Sequence, residues 1–334
     1  MVMRNKYRIA ILLFMHICVF WSCKKDTPKI SKKVNVLFTT TGLGDLSFSD
    51  NLYKGILKAR NDFDFEVEYA FPANLQEAST TLKNWIDHLS SKDELIILLG
   101  HEYRLSIDSL QGNFNNKKIL LIDAKANDFP NLFSIEFSFY GAAFLAGIAA
   151  KQITLNDTAG IIAGMPLPPI ETGIAGFSDG YLHANGKHTD VQYIGNDFSA
   201  FQDIDKAAAL AGIMFKKTNL IFGMASNANQ GIFDVLRRTD YGYALGVDQD
   251  QSWVCPDKIM GSVVKQIDIV ASNYVRSFVN GDFHSGYQMA GLESNYMGFL
   301  INTFFAEKLQ TIMQKNFDDA LMAEKKYLEK KKKR

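Results

Sequence analysis

Cysteine and histidine are scarce in this sequence. Its 334 residues include three cysteines, Cys18, Cys23 and Cys255, and six scattered histidines. Two of the cysteines lie close to the N-terminus, so the body of the chain cannot hold a disulfide framework. No cysteine or histidine cluster has the spacing of a zinc site. The sequence therefore excludes a disulfide-stapled scaffold, and we expect neither a metal nor a cofactor.

The apolar run near the N-terminus is too short to cross a bilayer comfortably. It has 13 residues, from 9 to 21, follows three basic residues and is interrupted only by a histidine. This length and these flanks are typical of an export signal. A serine precedes Cys23, and the pattern resembles a bacterial lipoprotein signal. We predict a leader at 1 to 22, a lipid anchor at Cys23 and a tether to residue 33; an ordinary signal peptide or an anchor helix is the alternative.

Two glycine motifs lack the residues that phosphate binding or hydrolysis needs. The turn "GLGD" at 42 to 45 has neither the third glycine of a dinucleotide fingerprint nor a P-loop lysine. The motif "GFSDG" at 176 to 180 matches G-x-S-x-G, but Ser178 falls inside a predicted helix. We predict that the first motif does not grip phosphate and that the second permits close helix packing. No catalytic residue is assigned.

Acidic and basic residues balance over the whole chain but not along it. There are 36 of each, and loss of the leader leaves 33 basic residues. The tail at 325 to 334 holds seven basic residues and one acidic residue, so the body is acidic. An acidic body argues against nucleic acid as a partner. For the tail we predict a frayed, solvated helix end, with contact to anionic lipid or nucleic acid as the alternative.

Strand-like and helix-like segments alternate through the body. Apolar runs such as "LIILL" are typical of parallel strands covered on both faces. Strands are predicted at 34 to 40, 65 to 71, 94 to 100, 117 to 123, 158 to 164, 190 to 195, 218 to 224, 243 to 248 and 258 to 264. Helices are predicted at 47 to 62, 74 to 90, 103 to 112, 140 to 153, 170 to 185, 201 to 216, 229 to 238 and 266 to 280. This alternation predicts βαβ units with right-handed crossovers.

The pattern restarts near 134 to 140, with no proline- or glycine-rich linker. We therefore predict an α/β protein with two doubly wound, Rossmann-like lobes in tandem. Two such lobes commonly form a cleft between them. Ligands of open parallel sheets lie at the carboxyl ends of the strands, so we expect a binding site in that cleft.

Polar residues follow four of the predicted strands. Asp123 and Asp248 each end a strand, and residues 47 to 49 and 226 to 231 follow two others. Each of these alone is compatible with helix capping. Together, at four corresponding strand ends, they favour a polar cleft. Lys265 follows a further strand and could donate to a ligand or pair with an aspartate, and His101 also follows a strand end.

Several ordered stretches resemble the basic membrane protein family, which includes purine nucleoside receptor lipoproteins. They include "GLGDLSFSDNLYKGI", "SIEFSFYGAAFLAGIAA", "GIIAGMPLPPIETGIAGFSDGY", "LIFGMASNANQGIF", "ALGVDQDQ" and "GSVVKQIDIVA", and they run from about 34 to 300. The resemblance implies a type 1 periplasmic-binding-protein fold, with two lobes joined by crossing segments. It also implies a substrate-binding protein of an ABC transporter that binds nucleosides and contacts a permease.

The resemblance implies roles for four residues of the cleft. Phe48 takes the place of the aromatic residue that stacks on the base. Asp123 corresponds to the aspartate that hydrogen-bonds the base, and Asp248 to the one that holds ribose hydroxyls. Lys265 corresponds to a lysine of the same site.

Three positions depart from the family pattern. Thr40 stands where the first strand of the family ends in an aspartate, and Ser49 stands where an asparagine is usual. The glycine-rich loop is replaced by "SNANQG", which includes Asn227. These positions are also candidate ligand contacts. Their departure from the family pattern argues against assuming that the ligand is a purine nucleoside.

The predicted domains follow from both lines of reasoning. The N-terminal lobe is assigned to 34–137 plus about 258–284, the C-terminal lobe to 138–257 plus about 285–320, and the basic tail to 321–334. We expect a non-enzymatic, lipid-anchored protein of the cell envelope that binds a small polar, nucleoside-like molecule. A ligand-binding sensor subunit and a nucleoside-processing hydrolase using Asp123 or Asp248 are the alternatives.

Overall fold

The structure is a computed structural model that describes residues 31–90, 92–154 and 156–332. The predicted leader and the lipidation site Cys23 lie outside the described residues. No helix within those described ranges combines the length and the apolar character that crossing a bilayer requires.

Strands in the described residues form two six-stranded sheets. They are β1 (Lys32–Leu37), β2 (Glu66–Ala70), β3 (Asp93–Leu99), β4 (Lys118–Ile122), β5 (Leu132–Phe137), β6 (Thr158–Ala163), β7 (His188–Tyr193), β8 (Leu220–Met224), β9 (Tyr243–Asp248), β10 (Ile259–Lys265), β11 (Gly286–Ala290) and β12 (Met297–Ile301). The first sheet has the order β11-β5-β4-β3-β1-β2, and the second has the order β12-β10-β9-β8-β6-β7. All neighbours are parallel except β10 and β12. Two α/β lobes with mainly parallel sheets are confirmed.

Helices cover both sheets. They are α1 (Phe48–Asp62), α2 (Leu75–Asp87), α3 (Arg104–Ser109), α4 (Tyr140–Ile153), α5 (Pro168–His183), α6 (Ile204–Met214), α7 (Asn229–Arg237), α8 (Ile267–Asn280), α9 (Ala306–Lys315) and α10 (Phe317–Lys332). The predicted helices and strands all occur within a few residues of their expected bounds. Strands β5, β11 and β12 were not predicted; β5 and β11 include polar residues, whereas β12 is a five-residue apolar segment.

Strand β3 shows why the apolar runs become central strands. Leu95, Ile97 and Leu99 face one hydrophobic core, while Ile96 and Leu98 face a second core on the other side of the sheet. All five have no exposed surface. A strand covered by helices on both faces needs apolar residues at every position. It therefore lacks the alternation of apolar and polar residues seen in a strand with one face in solvent.

The chain crosses between the lobes three times. The first crossing, residues 138–139, leads from β5 to α4; the second, Gln266, leads from β10 to α8; the third, residues 291–296, leads from β11 to β12. Helix α8 packs against α1 of the first lobe, whereas β10 belongs to the second sheet.

The predicted lobe boundaries near the C-terminus are therefore wrong at two strands. The stretch 258–284 was assigned whole to the first lobe, but β10 pairs with β9 and β12 of the second. The stretch 285–320 was assigned to the second lobe, but β11 pairs with β5 of the first. The two crossings fall after Lys265 and after Ala290. An apolar run predicts a strand but does not encode the sheet that the strand will join.

The basic tail predicted at 321–334 is helical over the part that the structure describes. Lys325, Lys326, Lys330 and Lys331 are exposed, as predicted for a solvated helix end, but one face of the helix packs against the body. Residues 317–332 form the continuous helix α10. Ala320 has no exposed surface, Glu324 is 3 % exposed, and the ring of Tyr327 stacks on that of Tyr140 with centroids 4.4 Å apart. The spacing of these residues places them on one face of the helix, and that face packs against the body.

The "GFSDG" glycines bring α4 and α5 together, as predicted. A Cβ atom at Gly176 would lie 2.2 Å from the carbonyl oxygen of Tyr140, and one at Gly180 would lie 2.0 Å from that of Phe144. The hydroxyl of Ser178 pairs at 2.8 Å with that of Thr189. Backbone-to-backbone packing, rather than a nucleophile turn, explains the motif.

This packing predicts opposite effects for two glycine substitutions. Gly180→Ala should lower the free energy of unfolding by about 1–3 kcal/mol, because the added methyl group forces the two helices apart. Gly212→Ala in α6 should raise it by about 0.5–1 kcal/mol, since no atom lies within 4 Å of the added Cβ and alanine favours a helix. Urea denaturation of both variants measures the difference. Equal effects at the two positions would contradict the close packing.

Candidate ligand-binding site

A cavity of about 670 Å³, partly open to solvent, lies between the two lobes. Its walls include loops that follow β1, β3 and β4 of the first lobe and β6, β8, β9 and β10 of the second. The lining residues are Thr39, Thr40, Thr41, Phe48, Gly100, His101, Glu102, Asp123, Phe139, Leu167, Pro169, Ile170, Phe198, Phe201, Met224, Ser226, Val247, Asp248 and Lys265.

Asp123 and Asp248 occupy equivalent positions in the two lobes. Asp123 follows β4 and Asp248 ends β9, and their φ angles are 67° and 70°. This left-handed conformation is uncommon for residues other than glycine, asparagine and aspartate. It turns the chain sharply at the strand end, and both aspartates line the cavity. The two side chains are mostly buried, at 7 % and 6 % exposure.

Lys265 joins these two carboxylates across the cleft. Its Nζ lies 2.6 Å from Oδ2 of Asp123 in the first lobe and 3.6 Å from Oδ1 of Asp248 in the second. Burial raises the pKa of Asp123 to about 6, and the ammonium of Lys265 opposes that rise. The other carboxylate oxygen of Asp123, Oδ1, is buried and has no hydrogen-bond partner in the described part of the chain. Asp123 therefore offers a free acceptor beside the cavity.

Aromatic rings surround the ammonium of Lys265. Its Nζ lies 4.3 Å from the ring centroid of Phe139, 4.7 Å from that of Phe48 and 5.7 Å from that of Phe137. Such cation–π contacts stabilise a desolvated ammonium. Phe48 comes from the first lobe, and Phe201 lines the cavity from the second. The cavity thus presents a flat apolar surface from each lobe.

Two titratable residues after β3 also line the cavity. Burial raises the pKa of Glu102 to about 8, so its carboxyl group is mainly protonated at neutral pH and can donate a hydrogen bond. Burial lowers the pKa of His101, whose Nδ1 is buried without a partner among the described residues. Glu102 was not predicted, because a glutamate three residues beyond the end of β3 carries no pattern of its own.

Direct hydrogen bonds hold the lobes together around the cavity. The hydroxyl of Ser47 donates to Asp248 Oδ2 at 2.6 Å, and the amide of Asn51 donates to the carbonyl of Lys265 at 2.6 Å. The amide of Gln202 donates to the carbonyl oxygen of Thr40 at 2.7 Å. Each bond joins the first lobe to the second, so the structure has the lobes closed on each other.

Asp45 organises the first-lobe side of this contact. Its carboxylate accepts hydrogen bonds from the backbone N–H groups of Ser47, Ser49 and Asp50, at the start of α1, and from the hydroxyl of Ser226 in the second lobe at 3.3 Å. Burial nevertheless raises the pKa of Asp45 to about 6. The turn at 42 to 45 thus serves lobe contact.

Five of the seven predicted ligand contacts line the cavity: Thr40, Phe48, Asp123, Asp248 and Lys265. Two do not. Ser49 has no exposed surface, and its hydroxyl pairs with that of Thr39 behind the cavity wall. The side chain of Asn227 pairs with Gln230, and its neighbour Ser226 lines the cavity instead. The predicted placement of Ser49 and Asn227 in the cavity is therefore corrected.

Solved structures with this architecture include solute-binding proteins and transcriptional regulators, so they give the fold and not the role. One from Aeropyrum pernix, an ABC transporter solute-binding protein, has a TM-score of 0.73 and 24 % sequence identity. The match covers 88 % of this chain and 86 % of that one. Two α/β lobes with three crossings and an interlobe cavity define the type 1 periplasmic-binding-protein fold.

Sequence comparison gives the family. Residues 32–333 match the family model Bmp, described as ABC transporter substrate-binding protein PnrA-like, and the chain belongs to this family. It is 27 % identical over 284 residues to an uncharacterised lipoprotein of Pyrococcus horikoshii, covering 80 % of this chain and 69 % of that protein. It is also 27 % identical over 284 residues to basic membrane protein B of Borreliella burgdorferi, covering 81 % and 82 %. The predicted family and fold are confirmed.

The buried ion pair predicts a large effect of removing its cation. Lys265→Met should lower the free energy of unfolding by about 3–5 kcal/mol, because Asp123 and Asp248 lose their buried partner. Lys187→Met provides the control, since Lys187 forms an exposed pair with Asp157 at 2.6 Å and should matter little.

The Lys265→Met effect should also depend on pH. The pKa of Asp123, already above its usual value, rises further without the ammonium, so the folded state binds protons more readily than the unfolded state. Stability is then lost as pH rises and partly recovered as pH falls. Urea denaturation at several pH values measures this, and a loss that grows on acidification would contradict the assignment.

Proposed function

We propose that the protein is a lipid-anchored receptor that captures a nucleoside-like molecule in the interlobe cavity and presents it to an ABC permease. Membership of the substrate-binding family supports capture rather than catalysis. The lipoprotein relatives and the sequence around Cys23 support anchoring to the cell envelope. Ligand binding would stabilise the closed lobes through contacts to both of them.

One observation carries the choice of ligand class. The free oxygen of Asp123, an unpartnered acceptor, lies beside a cavity that has Phe48 on one lobe and Phe201 on the other. A planar heterocycle with a ring N–H could stack on the aromatic surfaces and donate to that oxygen. Asp248, at the second-lobe wall, would accept from hydroxyl groups of an attached sugar.

The same contacts favour binding over hydrolysis. Both oxygens of Asp248 already face donors, Ser47 and Lys265. Asp123 likewise gives one oxygen to Lys265. Carboxylates held this way orient a ligand, whereas a hydrolase needs one of them to activate water or to attack.

A thermal-shift panel tests the proposal. Nucleosides, free bases and sugars should be added separately to the protein, and nucleosides should raise the melting temperature. At a hundredfold excess over the dissociation constant, binding adds about 2.7 kcal/mol of stability. A panel in which no nucleoside shifts the transition, or in which sugars alone do so, would contradict the nucleoside proposal.

Two phenylalanine variants test whether the thermal shift comes from binding in the cavity. Phe48→Ala should abolish most of the nucleoside shift, since stacking of a base on an aromatic ring contributes about 1–3 kcal/mol. Phe304→Ala, at a residue 68 % exposed and outside the cavity lining, should leave the shift unchanged.

Thr40 provides a separate prediction about specificity. It lines the cavity, and its only interlobe hydrogen bond in the described structure uses the backbone carbonyl, which substitution leaves in place. Thr40→Asp should raise nucleoside affinity about tenfold or more, the value of a hydrogen bond to a charged group. Isothermal titration measures the change, with Thr40→Asn as the uncharged control of similar shape. If the two variants bind alike, the carboxylate at this position does not set the ligand preference.

A further inference from the structure

Helix α10 buries a charged side chain against two of the three crossings. One oxygen of Glu324 accepts hydrogen bonds from the hydroxyl of Ser138 at 2.6 Å and from the N–H of Gly141 at 3.1 Å. The other oxygen accepts from the N–H of Leu292 at 2.8 Å. Ser138 lies in the first crossing and Leu292 in the third. A single carboxylate therefore ties the two crossings to the C-terminal helix.

Two glycines leave the space that this carboxylate fills. A Cβ atom at Gly291 would lie 2.5 Å from Oε2 of Glu324, and one at Gly141 would lie 3.1 Å from it. An apolar side chain would be enough to pack a helix here. A carboxylate with three donors adds directional bonds that fix where the two crossings lie relative to each other.

The far end of α10 reaches a space between the lobes. Leu328 and Lys331 line a small void that shares Asp123 and Pro169 with the ligand cavity. Its other walls belong to both lobes: Glu136 and Met289 to the first, Pro168 and Thr172 to the second. Rotation of one lobe against the other must change the width of this void. Helix α10 therefore contacts parts of the protein that move when the lobes rotate at two places, the crossings and this void.

We propose that α10 is a strap on the interlobe hinge, with Glu324 as the positioning residue that favours the closed arrangement. Lobe rotation changes backbone dihedral angles in the crossings. Opening therefore moves Ser138 and Leu292 relative to each other, and Glu324 loses bonds that are complete when the lobes are closed. The proposal rests on the proposed function only in that the lobes open and close around a ligand.

The test measures the distance between the lobes without any ligand. Fluorophores are attached through unnatural amino acids at Lys58 in α1 and Asp205 in α6, which are exposed and lie on opposite lobes. Single-molecule energy transfer is compared for the wild type, Glu324→Gln and a chain ending at residue 316. Glutamine keeps the size of the side chain but leaves one backbone N–H without an acceptor. Glu329→Gln, at an exposed position of the same helix, is the control.

We expect the ratio of open to closed molecules to rise about tenfold in Glu324→Gln, from the loss of a hydrogen bond to a charged group, and further in the shortened chain. Glu329→Gln should match the wild type. Circular dichroism confirms that each variant is folded, and Glu324→Gln decides the outcome if the shortened chain does not fold. The proposal would be overturned if the distribution of energy-transfer efficiency were unchanged in the folded variants, or if the wild type were already mainly open. A negative ligand panel would not, because no ligand is used here.

Discussion

Lys265 is the cation on which the arrangement of the two lobes depends. It is the last residue of β10, and the next residue, Gln266, carries the chain from the second lobe back to the first. Its ammonium is buried, and it contacts Asp123 and Asp248, one from each lobe. Burying an ammonium without partners would cost several kcal/mol. The closed arrangement is thus the one in which the buried ammonium has a carboxylate partner from each lobe.

The position of Lys265 follows from the topology. Strand β10 lies second from the edge of its sheet and β5 second from the edge of the other, so both strands deliver their carboxyl ends to the hinge side of the cleft. Phe137 at the end of β5 and Phe139 in the first crossing therefore flank the ammonium, while Lys265 directly precedes the second crossing. Hinge and ligand cavity share Phe139, and Lys265 of the cavity lining adjoins the second crossing. A change in ligand contacts is thereby mechanically linked to rotation of the lobes.

Local patterns in the sequence were enough for much of this structure. The run at 94 to 100 predicted a central strand because both faces of the sheet exclude water there. Asp123 and Asp248 could be placed in the cavity because parallel strands end at one edge of a sheet. Ser49 could not be excluded in the same way. Its backbone position is next to Phe48, and only the direction of the side chain turns it away from the cavity.

Other features depend on contacts between distant parts of the chain. The sequence around β10 and β11 does not reveal which sheet each strand joins, because that choice depends on partners at positions such as 248 and 137. The lysines at the end of α10 are exposed, as predicted, but the packed face of that helix could not be predicted, because the donors for Glu324 lie more than 30 residues away in sequence. Contacts between residues so far apart in sequence are set by the fold as a whole.

The charges of the cavity also limit what it can hold. At neutral pH Glu102, whose pKa is about 8, is mainly protonated, while Asp123, whose pKa is about 6, is mainly ionised. The lining also includes the carboxylate of Asp248 and a single ammonium, that of Lys265, so carboxylates outnumber ammonium groups. The turn at 42 to 45 meets the second lobe through the carboxylate of Asp45 and adds no cation. An anion such as a nucleotide phosphate would face net repulsion, whereas a neutral molecule with a ring N–H and hydroxyl groups finds both a donor and free acceptors.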